Sequence, residues 1–152
     1  MKKDKIDLAE IRELIPHREP FLYIEELSNI EKLKKATGIK KFTENDNFFE
    51  GHFPGHPVVP GVVLIEMMAQ TAAALIAYSL RDETFDKIVY LMNVSSSKFR
   101  KPVFPNEKIM ANVKALRSKG RVWRFEGLCI NKNRETVCSS EWSAMIMDRK
   151  ND

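Results

Sequence analysis

The run Val62-Val63-Leu64-Ile65-Glu66-Met67-Met68-Ala69-Gln70-Thr71-Ala72-Ala73-Ala74-Leu75-Ile76-Ala77-Tyr78-Ser79-Leu80 decides the fold. Apolar side chains fall on nearly every face of a helix built from it. A helix that is apolar all round lies either in a protein core or in a membrane. A membrane span needs roughly 20 apolar residues. This run falls short and carries Glu66, Gln70 and Thr71. An ionisable group near the middle of so short a span would be costly. The reading is a central buried helix and no membrane span.

The segments beyond the helix read as antiparallel β. Ile88 to Val94 is a strand, and Lys108 to Leu116 alternates, with Ile109, Ala111, Val113 and Ala115 on one face. Ser118-Lys119-Gly120-Arg121 is a turn, and Val122 to Ile130 and Thr136 to Met147 are two further strands joined around Asn133-Arg134. If Asn133-Arg134 is a two-residue turn, Cys129 and Cys138 sit directly opposite each other. Before the helix, Asp7 caps a short amphipathic helix ending at Ile15, with Glu10 placed as in a capping box. Phe21 to Ile24 begins a strand-like run, and Leu27 to Phe42 reads as one charged strand with a wet face. The whole is an α+β chain forming a single domain over residues 1–152, with a long antiparallel sheet wrapped around one helix. That helix has no polar face, so the sheet covers most of it and a second copy of the chain can cover the remainder. This favours a dimer or higher oligomer.

Composition narrows the partners. Apolar residues make up 43% and charged residues 30%, a globular balance and not that of a disordered chain. The formal net charge of +4 permits an acidic partner. The basic residues are scattered, with no zinc-finger spacing and no recognition-helix signature, so nucleic acid is not the partner expected. The opening Met1-Lys2-Lys3-Asp4-Lys5 is polar and leads into no signal-peptide core, so a cytoplasmic protein is the simplest reading. Cys129 and Cys138 lack a four-ligand zinc spacing and should be thiols.

Asn45 to Gly61 is the most unusual stretch. Pro54, Pro57 and Pro60 with Gly51, Gly55 and Gly61 forbid a regular helix and make an ordered loop. His52 stands in this loop, and a neutral imidazole suits a general base. His52 and His56 imitate a zinc spacing, but Pro54 lies between them, so no metal site is expected. Glu66 lies about one and a half turns into the helix. Burial raises a carboxyl's pKa and lets it act as a general acid. The other reading is that Glu66 simply bonds Gln70 at i+4. Gly61 opens the helix, where a free backbone N–H can bind a carbonyl oxygen. Phe48, Phe49 and Phe53 are either core or tunnel wall.

The run from Phe48 through Gly51-His52-Phe53-Pro54-Gly55-His56-Pro57-Val58-Val59-Pro60-Gly61 to Glu66 and Ala69-Gln70 resembles the signature of the FabZ-type 3-hydroxyacyl-acyl carrier protein dehydratases. Ile15-Pro16-His17-Arg18-Glu19-Pro20-Phe21-Leu22 is similar to that family's opening block, and Lys98-Phe99-Arg100-Lys101-Pro102-Val103 with Pro105 to a third. The resemblance implies a hot-dog fold and dehydration of a (3R)-hydroxyacyl chain on acyl carrier protein to the trans-2-enoyl form. It implies His52 and Glu66 as the catalytic pair, with Glu66 from the partner chain. It places the carbonyl-binding N–H on Gly61 and the carbonyl that orients the histidine on Val58. It implies no cofactor, and a homodimer often assembled as a trimer of dimers. A related branch that also isomerises the double bond usually has Asp where Glu66 stands. Glu19 departs from the family, which usually has an aromatic residue there, and Asn133-Arg134 replaces a tight Asp-Gly turn. His17 and Arg18 are expected to be structural. Lys98, Arg100 and Lys101 are either a docking edge for the acidic carrier or a solvated strand end. A hot-dog thioesterase and a non-catalytic acyl-binding module are the rival functions.

Overall fold

The computed structural model describes residues 4–81 and 87–149, so the start of the polar opening, residues 1–3, lies outside it. Seven strands form one antiparallel sheet: β1 (Lys5–Ile6), β2 (Glu26–Glu31), β3 (Lys35–Lys41), β4 (Lys87–Phe99), β5 (Lys108–Lys119), β6 (Val122–Ile130) and β7 (Thr136–Asp148). Their order across the sheet is β1-β2-β3-β5-β6-β7-β4. Among the described residues the α-helices are α1 (Leu8–Leu14) and α2 (Gly61–Ser79), with a short 3-10 turn over Asn47–Glu50, and the sheet curls around α2 in the hot-dog arrangement that the resemblance implies.

Burial, not capping, holds α2. Its N-cap is Pro60, which makes no side-chain cap bond. Met67, Met68, Leu75 and Ile76 are at most 1% exposed. Each such side chain contributes about 1.5–3 kcal/mol by leaving water. By length and hydropathy α2 could cross a membrane, but 72% of its most apolar window is buried inside the protein, which makes it a core helix. The sheet approaches it very closely. A Cβ on Gly38 of β3 would lie 2.1 Å from Thr71 Oγ1, so only glycine fits there.

Several expectations are corrected. Phe21 to Ile24 is not a strand: Gln70, rather than a ladder, bonds the backbone of Phe21 and Tyr23. Leu27 to Phe42 is not one strand but the β2–β3 hairpin, turning at Leu33, whose φ is 61°. A side chain at the far end of α2 fixes that turn, because Leu33 N–H donates to Ser79 Oγ at 2.9 Å. The β6–β7 loop is not a two-residue turn. Arg134 N–H bonds Asn131 O at 3.0 Å and Arg134 takes a φ of 61°, giving a three-residue loop over Lys132, Asn133 and Arg134. A bulge beside Cys129 then restores the register, so Cys129 still pairs with Cys138.

Candidate active site

The proline-rich loop is pinned by its own backbone. His52 N–H donates to Phe48 O and Val58 N–H donates to His52 O, each at 3.0 Å. The His52 Nδ1 lies 2.9 Å from Val58 O. A carbonyl can only accept, so Nδ1 carries the hydrogen and the neutral ring keeps its lone pair on Nε2. The ring stacks on Phe53, with centroids 4.0 Å apart. Phe53 is half exposed against His52, whereas Phe49 is buried and Phe48 packs edge-on to Phe42 and Phe49. The phenylalanine stripe therefore divides: Phe48 and Phe49 belong to the core and Phe53 to the site.

His52, Val58, Gly61, Phe99, Arg100 and Lys101 line one groove of about 590 Å³. Gly61 is the first residue of α2, so its N–H has no intrahelical carbonyl to reach. A Cβ here would press into the Phe99 ring at 2.6 Å, so only glycine fits beside that ring at the start of the helix. A basic nitrogen and a backbone donor thus share one apolar-walled cleft.

Glu66 faces a different space, a chamber of about 70 Å³ lined by His17, Ala69, Gln70, Phe125 and Trp142, with Val89 and Leu91 of β4 on one side. Burial raises its pKa, and the hydrogen bond that Gln70 Nε2 donates to Glu66 Oε1 at 3.1 Å opposes this. The bond to Gln70 that the sequence offered is present, and of the two influences on the carboxyl burial is the larger. His17 Nε2 stands 3.7 Å from the same oxygen. Burial, with the Arg18 charge adding to it, lowers the His17 pKa, so this imidazole is neutral near pH 7.

The FabA-like domain family matches residues 15–141. A 3-hydroxyacyl-[acyl-carrier-protein] dehydratase FabZ from Acidiphilium cryptum is 43% identical over 95% of this chain and 87% of its own. One of the same name from Anaeromyxobacter dehalogenans is 39% identical over 98% of this chain and 96% of its own. This chain is a FabZ-type member of the FabA-like family. The dehydratase heterocomplex ApeI:P of Xenorhabdus doucetiae shares the fold, with a TM-score of 0.79 over 91% of each chain at 14% identity.

Within this FabZ-type chain, the structure brings His52, Val58 and Gly61 together and keeps Glu66 apart from them. The groove and the chamber have no lining residue in common. Lys98, Arg100 and Lys101 are exposed, with Arg100 and Lys101 on the rim of the groove. Lys101 is already paired with Glu135. Arg18 is structural as expected, since its guanidinium donates to the carbonyls of Ile15, His17 and Arg12. Glu19, the departure from the family, pairs with Arg12 and so ties the same loop to α1. Sequence reasoning missed the approach of His17 to Glu66. The signal was present in the opening block, but 49 positions separate the two residues. Cys129 and Cys138 are both free and fully buried. Burial raises both thiol pKa values, that of Cys138 to about 11. Among the described residues no cluster of three or more His, Cys, Asp or Glu is placed to hold a metal ion.

Proposed function

We infer that this chain dehydrates (3R)-hydroxyacyl chains carried on acyl carrier protein, in fatty acid biosynthesis, to the trans-2-enoyl thioester. Family membership over nearly the whole chain supports the reaction. The observation that carries the mechanism is the Val58–His52 bond, which leaves Nε2 basic in the same groove as the open Gly61 N–H. The thioester carbonyl accepts a hydrogen bond from Gly61 N–H, which stabilises enolate charge as it develops. His52 Nε2 takes the proton from C2, and the C2–H electrons form the C2–C3 double bond. The C3–O bond breaks, and Glu66 gives its proton to the departing hydroxyl, which leaves as water. His52 ends protonated and Glu66 ionised, and proton exchange with solvent resets them.

The acid and base of one site come from two chains. Strand β4 is an unpaired edge that exposes Tyr90, Leu91, Met92, Val94 and Phe99, and a long apolar edge is a template for another strand. Along β4 the Glu66 chamber adjoins Val89 and Leu91, while the His52 groove adjoins Phe99. From Leu91 to Phe99 is about 25 Å at ~3.3 Å per residue. Two β4 strands paired antiparallel about a two-fold axis bring the early part of one beside the late part of the other. That places one chain's chamber next to its partner's groove. Three such dimers make the assembly the family resemblance implies. Arg100 and Lys101 then rim the entrance, with the exposed Lys98 close by in the chain, where an acidic carrier would dock. The two buried thiols fit a reducing cytoplasm.

The test is incubation with a 3-hydroxyacyl thioester of acyl carrier protein, following enoyl absorbance and free thiol together. Enoyl product without thiol release is expected. Thiol release would make the chain a thioesterase, and binding without turnover would make it an acyl-binding module.

A further inference from the structure

Both neighbours of Glu66 Oε1 can be assigned as donors from their other contacts. Gln70 is 1% exposed. Its Oε1 accepts from Tyr23 N–H at 2.8 Å, and its Nε2 donates to Phe21 O at 3.0 Å. A backbone N–H only donates and a carbonyl only accepts, so the amide cannot flip. Its remaining N–H donates to Glu66 Oε1. For His17 the far nitrogen decides. Nδ1 is buried and has no hydrogen-bond partner among the described residues. A neutral imidazole has a single N–H. Placing it on Nδ1 would bury an orphaned donor, which is rarer and costlier than an orphaned acceptor. The hydrogen therefore belongs on Nε2, the nitrogen 3.7 Å from Glu66 Oε1.

We propose that Gln70 and His17 are positioning residues that hold Glu66 Oε1 as an acceptor, so that the acid's proton sits on Oε2 and is delivered from there. This rests on the reading of Glu66 as the acid. With the Gln70 N–H bonded to this oxygen at 3.1 Å and the His17 N–H next to it at 3.7 Å, just beyond hydrogen-bond distance, a hydroxyl there would face N–H groups, so the proton moves to the other oxygen. The two donors have a second consequence. The Gln70 bond favours the ionised carboxyl and tempers the effect of burial, and an N–H dipole 3.7 Å away acts in the same direction more weakly. The rest of the chamber wall, Ala69, Ala73, Val89, Leu91, Phe125, Trp142 and Ala144, contributes no titratable group. The nearby charged and titratable groups are Arg18, which adds to the lowering of the His17 pKa, and Tyr23, whose own pKa the Glu66 charge helps to raise.

Two readouts on the intact oligomer test this. Long-range proton–nitrogen spectra of 15N-histidine-labelled enzyme resolve the tautomers of its three histidines. His17 is expected as neutral Nε2–H near pH 7, and an Nδ1–H tautomer or an imidazolium overturns the proposal. This readout does not depend on turnover, so its failure is separable from failure of the Glu66 reading, which would show as full activity in Glu66→Gln. The second readout is the pH profile of kcat. His17→Phe removes a donor, so kcat falls by about tenfold with KM little changed. The alkaline limb, where Glu66 loses its proton, moves to higher pH. His17→Gln, which again carries an N–H, returns the limb toward wild type. A limb that stays in place in folded His17→Phe, or one that His17→Gln does not restore, overturns the proposal. If His17→Phe does not fold, the tautomer of the wild-type enzyme still decides.

Discussion

The groove beside His52 and the chamber beside Glu66 tune their candidate functional groups by opposite means. In the open groove of about 590 Å³, His52 is set by one backbone carbonyl. In the chamber of about 70 Å³, Glu66 is set by removal from water. The difference fits the roles proposed for the two groups. An imidazole acting as the proposed base needs a fixed tautomer, and a carbonyl supplies that without burial. A carboxyl loses its proton well below neutrality, so the acid needs an environment that disfavours its charge, which burial supplies.

The sharpest way to break this contrast is to remove each group and read activity and stability together. His52→Ala and Glu66→Gln should each lower turnover of carrier-linked substrate by about a hundredfold or more, since each deletes an acid–base group. Their stabilities should diverge. The folded pKa of Glu66 is raised, so the native state holds that proton more tightly than the unfolded chain does. The stability this contributes is complete below the unfolded pKa and is lost as pH rises through the raised folded value. Glu66→Gln removes that loss. Its thermal midpoint at neutral pH should exceed wild type by about 2–4 °C for each kcal/mol recovered, with the gain fading at acid pH. His52→Ala should show no such gain. A destabilised Glu66→Gln oligomer would mean that the carboxylate is favourably paired and that burial does not govern it.

A smaller effect is expected at the rim of the groove. Reversing Lys98 and Arg100 to Glu should lower kcat/KM for carrier-linked substrate by about five- to tenfold and leave a short pantetheine thioester much less affected. Added salt should erode the carrier's advantage, because the contact is exposed and screened. Lys101→Glu should do less alone, since Glu135 already neutralises that lysine. Equal losses with both substrates would place these residues inside the site. The smallest effect belongs to the cysteines. The Cys129→Ala, Cys138→Ala double variant should keep the wild-type rate constant, and the native thiols should resist alkylation at neutral pH because burial keeps them protonated. A large fall in turnover of the folded variant would refute their passive role.

What could be read from the sequence was what local pattern encodes. The all-apolar run marked α2, the Asp7 cap marked α1, and period-two alternation marked β5. Contacts between distant segments escaped that reading. The turn at Leu33 has no Gly, Asn or Pro to announce it, and its N–H is held by Ser79, 46 residues away. Strand β4 extends five residues past Val94 through a serine-rich stretch, with Ser96 at a φ of 52°, because β7 continues beside it. The apolar run at Phe21 reads as a strand by composition, but its backbone partners are the amide atoms of Gln70. His17 escaped for the same reason. Nothing near it in sequence says that it packs against Glu66, so its local neighbours gave it only a structural role.

The central claim is that groove and chamber become one site only across two chains, and subunit mixing tests it most directly. His52→Ala and Glu66→Gln chains are each expected to be nearly inactive alone. Co-refolded, each heterodimer should carry one site with both wild-type residues and one with neither. Turnover per heterodimer should return to about half that of wild type, far above either parent, given the hundredfold losses expected of each. Turnover that stays at the parental level, with heterodimers confirmed by mass, would contradict the account and assign both residues of each site to a single chain.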